Sequence, residues 1–427
     1  MMPIASIRDF LLAAVCAAVL GGCGTAGPAP AKPAPASGRE RVLQALEPLK
    51  EGSGLLKFGV ISTALSSSDI DSMQPLKRLD PRGTPTARPF SLTLADGTRV
   101  GGLLFPCPDA GDDPKPLLIA SFGFLQDRWG TEAAKFYEDY LEDPSQRLPA
   151  HVLILDHPSA GPFLANNGCL SMGAYDDARM WIEVARYMRQ RMRLSGIHLF
   201  GVSMSGQTVV HALIEDKRLG LNLFDSGIAV SIAPDFQKAP GKQLAFLKTT
   251  GGMENPWKAY FKVLPHEKLT DKIEAAALGM LIKKQFVPHY RCIRPTDTAF
   301  DLEPDQAAVF LRKAFTDRLA WLRQHADATW NSNVDLSGLD AFMASTRIAG
   351  FIGRVRTPLV LVSALDDPAV EHAQFAEVVQ AAEGNRWVVA YETDHGGHFG
   401  FDVVYGADYL GRIMRLMMTP QVLHDWR

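Results

Sequence analysis

The sequence has little of what would assign a class outright. Its charges nearly cancel, with 44 Lys and Arg against 47 Asp and Glu for a formal net charge of -3. That balance leaves no basic footprint for a phosphate backbone, which excludes nucleic acid as an expected partner. Cysteine is scarce, at five residues, and the wide spacing of Cys16, Cys23, Cys107, Cys169 and Cys292 has none of the close pairs that a structural zinc site uses. No segment repeats at a fixed period, which excludes solenoids and propellers. A bilayer-spanning run of about 20 apolar residues is missing too; "FLLAAVCAAVL" at 10–20 falls short of that length. What is present is ordinary globular composition, 47% hydrophobic and 21% charged, unlike that of a disordered chain. At 427 residues the chain exceeds the roughly 100 to 200 of one typical domain, so a large domain with an insertion, or two domains, is expected.

The short apolar run follows one basic residue, Arg8, and has the length of a signal-peptide core, so residues 1–22 are expected to be removed. The letters that close it, "LGGC" at 20–23, resemble a bacterial lipobox: Leu20, two small glycines, and Cys23 as the thiol that takes the lipid. That resemblance implies several acyl chains on Cys23, which anchor stably where a single chain is marginal. Gly24 stands where inner-membrane lipoproteins often carry an aspartate, so the implied location is the outer membrane, facing the periplasm. "GTAGPAPAKPAPASG" at 24–38 is Pro/Ala-rich without an apolar core, which makes residues 23–38 a spacer between membrane and body. In an oxidising periplasm two of Cys107, Cys169 and Cys292 can pair, and no spacing says which.

Short apolar runs rich in Val, Ile and Leu recur along the body: "PLLIAS" (116–121), "HVLILD" (151–156), "IHLFG" (197–201), "GIAVSIA" (227–233), "PLVLVSA" (358–364) and "RWVVAY" (386–391). Continuous apolar strands alternating with helical periodicity, as in "DDARMWIEVARYMRQRM" (176–192), predict a mostly parallel sheet covered on both faces. Upstream, "PFSLTLADGTRVGGLLFP" (89–106) alternates about Asp-Gly and predicts an antiparallel hairpin opening that sheet. Between the fourth and fifth of these parallel-type runs lies a stretch without a strand, read as a helical insertion over 236–350 that divides the core into 39–235 and 351–427. In "AAVFLRKAFTDRLAWLRQHA" (307–326), Leu311, Phe315, Leu319 and Leu322 share one helix face. The insertion's aromatics, Trp257, Tyr260, Phe261, Phe286, Tyr290, Trp321 and Trp330, serve either its own core or an acyl or ring pocket.

Chemistry concentrates in "IHLFGVSMSGQ" at 197–207, where a buried strand gives way to a helix at the carboxyl edge of the sheet. A nucleophile on such a turn needs small residues two before and two after it. Ser203 meets this with Gly201 and Ser205, whereas Ser205 would put the long Gln207 in the tight place, so Ser203 is the candidate. A serine nucleophile needs a base and an orienting acid, in the order Ser, Asp or Glu, His when the turn is of this kind. "LVLVSALDDPAVE" supplies Asp366 and Asp367 after one strand, and "VVAYETDHGGHFGF" supplies His395 and His398 after the next.

With these motifs the chain resembles the α/β-hydrolase superfamily over roughly residues 86–415, in the serine esterase type. "SALDDP" and "GGHFGF" are similar to a bacterial branch with A-x-D-D-P and G-G-H-x-G-F loops. The resemblance implies Ser203 as nucleophile, His398 as base after the Gly396-Gly397 pair, and Asp367 as acid, from setting Ala364 and Pro368 on a G-x-x-D-P pattern. It implies an oxyanion hole from the N–H groups of Met204 and Phe124, with Phe122 replacing the usual histidine of the family's H-G-x motif. No cofactor and no metal is expected; an HxxH site at His395 and His398 would need further ligands at matched distances. The expected activity is hydrolysis of a small-molecule or lipid-like carboxylic ester by a lipid-anchored enzyme. Two alternatives are an envelope acyltransferase with the same triad and a non-catalytic binding lipoprotein on a hydrolase fold.

Overall fold

The computed structural model describes residues 36–47, 68–69, 74–75, 79, 84, 86–108, 111, 113–124, 126–168, 170, 174–235, 304–325, 334–365, 367, 370, 372–406 and 408–426. The signal peptide, Cys23 and most of the spacer, Cys169, Cys292, Asp366, and the aromatics Trp257, Tyr260, Phe261, Phe286, Tyr290 and Trp330 lie outside them.

Apolar residues in unbroken runs must find cover on both sides of a strand, because successive side chains point to opposite faces. In β3 (Lys115–Ser121), Leu117 and Ile119 enter one core while Leu118 and Ala120 enter the other. β5 (Leu194–Val202) repeats this with Ile197 and Leu199 against Phe200 and Val202. Around them stand β1 (Arg88–Thr93), β2 (Arg99–Phe105), β4 (His151–Leu155), β6 (Ser226–Val230), β7 (Leu359–Ala364) and β8 (Val388–Thr393). The eight form one sheet in the order β8-β7-β6-β5-β3-β4-β2-β1. β1 and β2 form the hairpin about Asp96-Gly97, β2 pairs antiparallel with β4, and the other pairings are parallel. This is the α/β-hydrolase fold.

The first core is covered by α4 (Ala174–Arg191), α5 (Met204–Arg218), α6 (Pro304–His325), α7 (Leu339–Ser345) and α8 (His372–Ala382). On the second lie α1 (Gly38–Leu46), α2 (Thr131–Tyr137, continued by a π turn over Glu138–Glu142), α9 (Phe401–Tyr405), α10 (Tyr409–Met417) and α11 (Pro420–His424). A short helix, α3 (Gly161–Asn167), follows β4. Among the described residues no helix is long and apolar enough to cross a membrane.

Two details differ from the reading of the sequence. β5 runs on to Val202, one residue past the apolar run 197–201, because its last residues pair with β6 through Gly201↔Ala229 and Val202↔Val230. Gly38, read as the end of the spacer, is already the first residue of α1, whose N-cap Ser37 forms a capping box with Glu40. Cys107 is buried with its thiol free. Within 236–350, the described segments contain α6 and α7 and no strand. α6 buries Ala314, Phe315, Leu319 and Leu322, and Arg318 on it pairs at 2.6 Å with Asp176 of α4 while lying over the half-buried Trp321 ring.

Candidate active site

Parallel strands bring their carboxyl ends to one edge, so the turns after β3, β5, β7 and β8 meet there. Ser203 follows β5 directly and caps α5 with φ 57° and ψ -122°, a conformation that costs an L residue on the order of 1–3 kcal/mol and persists only where the surroundings impose it. Those surroundings are visible: the Ser203 N–H donates to the Val230 carbonyl at 2.9 Å, and its carbonyl accepts the Gly206 N–H at 3.0 Å. A Cβ on Gly201 would fall 2.2 Å from the Ser205 carbonyl oxygen, so the tight turn admits nothing larger there. The half-buried serine stands at the amino end of a 15-residue helix, where the macrodipole favours negative charge.

Asp367 and His398 come together from the turns after β7 and β8. His398 Nδ1 lies 3.1 Å and 3.0 Å from the two Asp367 carboxylate oxygens, and Asp367 Oδ1 also accepts the Val370 N–H at 3.1 Å. The aspartate side chain is fully buried, which holds the imidazole in one orientation with Nε2 on its far side. Burial pushes the His398 pKa down, but the charge and hydrogen bond of Asp367, helped by the Glu132 carboxylate, outweigh it and raise the pKa above 6.5. His151, His157, His198 and His211 are also buried, and burial lowers all four. His398 is thus the one buried histidine among the described residues that carries a raised pKa. His395 is half-buried with its N–H donated to the Tyr405 hydroxyl. Among the described residues no group of three or more His, Cys, Asp or Glu is placed to hold a metal ion.

The turn after β3 closes the site. Gly123 has φ 95°, and a Cβ there would lie 2.9 Å from both Ser203 Cβ and the Val202 carbonyl, so the bare backbone is pressed against the serine turn. Among the described residues neither the Met204 N–H nor the Phe124 N–H has a hydrogen-bond partner, and each belongs to a peptide flanking that contact. Phe122 turns away into the second core: its ring packs 5.5 Å from Phe136, 6.4 Å from Phe200 and 6.0 Å from Phe399. It thereby joins this turn to the loop bearing His398.

Two polar groups escaped the reading of the sequence. Ser205, taken there as a small stand-in for glycine, accepts the Gly123 N–H at 3.1 Å and donates to Ser121 Oγ at 2.9 Å. Its signal was a hydroxyl where glycine is usual, matched by a polar residue ending the otherwise apolar β3. Glu132 in the first turn of α2 is buried and acts on His398 by its charge. Nothing local distinguishes it from the acidic residues that ordinarily begin helices.

No protein-family model and no curated protein matches the chain. Solved structures similar to it include an esterase of Pyrococcus furiosus, 13% identical, covering 80% of this chain and 97% of that one with a TM-score of 0.45. Others are a 2,6-dihydroxy-pseudo-oxynicotine hydrolase, 12% identical over 78% of this chain and 68% of that one (TM-score 0.46), and an alpha/beta hydrolase of Penicillium sp., 15% identical over 78% and 97% (TM-score 0.44).

Proposed function

We propose that the protein is a serine hydrolase of carboxylic esters, anchored by lipid on Cys23 to the periplasmic face of the outer membrane. What supports the catalytic reading is a strained Ser203 and a buried His398 held by Asp367, on turns at the same edge of one sheet. In this reading Ser203 Oγ attacks the ester carbonyl as its proton passes to His398 Nε2, while Asp367 stabilises the imidazolium. The N–H groups of Met204 and Phe124 bind the oxyanion, each worth roughly 3 kcal/mol of barrier. Collapse of the tetrahedral intermediate breaks the C–O bond, the alcohol leaves with the proton from Nε2, and an acyl-Ser203 remains. Water, deprotonated by the same histidine, releases the acid and restores the hydroxyl. The aromatic content of the insertion over 236–350 favours a hydrophobic acyl group.

The test is a chain-length series of chromogenic esters on the full chain in detergent, with fluorophosphonate labelling of the wild type and Ser203→Ala. Cleavage and labelling that both vanish in Ser203→Ala are expected, and the preferred length sizes the acyl pocket. A wild type that neither cleaves nor labels would replace this reading with that of a binding lipoprotein. Release of transferred ester in place of free acid, when an alcohol is added, would make the protein an acyltransferase.

A further inference from the structure

We propose that Ser205 is a positioning residue that sets the oxyanion donor of Phe124, an inference that rests on the hydrolase reading above. Its hydroxyl is buried, accepting from the Gly123 N–H and spending its one proton on Ser121 Oγ. One side chain thereby ties three pieces together: the end of β3, the turn after it, and the first turn of α5 behind Ser203. The need for such a tie lies in Gly123. Contact with Ser203 Cβ and the Val202 carbonyl forbids a side chain there, so the residue that carries the turn is also the one with the widest torsional freedom. Fixing its N–H fixes the plane of the 122–123 peptide, from which the φ of 95° carries the chain on, and the next peptide along is the one that carries the Phe124 N–H. With glycine at position 205, as in G-x-S-x-G, the Gly123 N–H would lose this acceptor and the Phe124 donor would swing with it. Ser205 acts through Gly123 and makes no contact of its own with the reacting atoms.

The experiment compares Ser205→Ala, Ser205→Gly, Ser203→Ala and the wild type as full chains. On the preferred ester, Ser205→Ala and Ser205→Gly are expected to lose about 10- to 100-fold in kcat, a fraction of the 10²–10³ that removal of a whole oxyanion donor costs. KM and the acidic limb of the pH profile stay where they were, since neither the acyl pocket nor His398 has changed. Affinity for a trifluoromethyl ketone, whose adduct carries the oxyanion, falls by the same factor as kcat. Amide hydrogen exchange over 121–126 speeds up in both Ser205 variants and not in Ser203→Ala. Retention of kcat within twofold in Ser205→Ala, or exchange unchanged over 121–126, overturns the inference while leaving the hydrolase reading intact. So does a parallel loss of kcat, KM and thermal midpoint, which marks a packing role. A wild type without ester cleavage or fluorophosphonate uptake overturns both.

Discussion

At the scale of single residues, the charge of Asp367 has two separable effects. It orients the imidazole through Nδ1, and it holds the His398 pKa above 6.5 against a burial that alone would depress it. Asp367→Asn keeps the shape and removes the charge. In the hydrolase reading kcat falls by about 10⁴, the size of effect seen when a triad aspartate becomes an amide. The base must be neutral to accept the Ser203 proton, so activity rises as pH passes through the His398 pKa; without the carboxylate that pKa drops, and the acidic limb moves to lower pH. A pH profile of kcat/KM in both proteins reads the shift, and a limb that stays or moves upward would mean that Asp367 does not act on His398. That Ser203, not Ser205, takes the tight turn was open to reasoning from the sequence because turn sterics are local, and the Asp367–His398 pairing because both follow strands at one edge. The second role of Ser205 was not, since its partners Ser121 and Gly123 lie more than 80 residues away. The core role of Phe122 was hidden for a similar reason: its cluster is assembled from β5, α2 and the histidine loop.

Helices tell the same story one level up. Nine residues are too few for a stable isolated helix, so α1 depends on its cap and its packing. Val42 and Leu46 are buried against α10 and α11, the Gly38 N–H donates to the Asp425 carbonyl at 2.8 Å, and the Tyr409 hydroxyl donates to the Leu46 carbonyl at 2.6 Å. The Ser37 and Glu40 side chains each accept the other's backbone N–H, at 3.2 Å and 2.7 Å. Ser37→Ala is expected to lower stability by about 1 kcal/mol, read as an earlier urea midpoint at unchanged slope; a midpoint within error of the wild type would mean α1 frays without cost. The Ser-x-x-Glu signature was readable, but the Pro/Ala tract runs into it and drew the spacer boundary one residue too far. α6 was legible from its apolar face, yet the ion pair that ties it to α4 was not, because Arg318 reads as an ordinary exposed position of an amphipathic helix. Its pair with Asp176 is largely buried, so Arg318→Ala removes the cation that faces a buried carboxylate, and a loss of about 3 kcal/mol is expected by denaturation. A loss below about 1 kcal/mol would mean that the pair behaves as a solvated one.

For the molecule as a whole, the elements that cover the second core are tied to one another, close to the loop bearing His398, by one buried carboxyl. Asp402, four residues after His398, accepts the Asp408 and Leu410 N–H groups on Oδ1 and the Tyr140 hydroxyl on Oδ2. The group therefore ties α9 to α10 and to the π turn that extends α2. Burial raises its pKa from 3.8 to about 6, the hydrogen bonds only partly offsetting it. Below pH 4 the carboxyl is protonated folded or unfolded and contributes nothing to the pH dependence. Between about pH 4 and 6 the unfolded chain releases its proton while the folded one keeps it, so stability falls as pH rises through this window. At about 1.4 kcal/mol for each pH unit the gap amounts to about 3 kcal/mol. Asp402→Asn cannot ionise, and its amide can still accept both backbone N–H groups and donate to the Tyr140 oxygen. The difference in unfolding free energy between variant and wild type is therefore expected to swing toward the variant by about 3 kcal/mol between pH 3 and pH 7.5, measured by urea titration at each pH. A difference that stays constant across that range would show that Asp402 is ionised in the folded protein throughout, and that the bonds to Asp408, Leu410 and Tyr140 suffice to hold a charge between the elements they join.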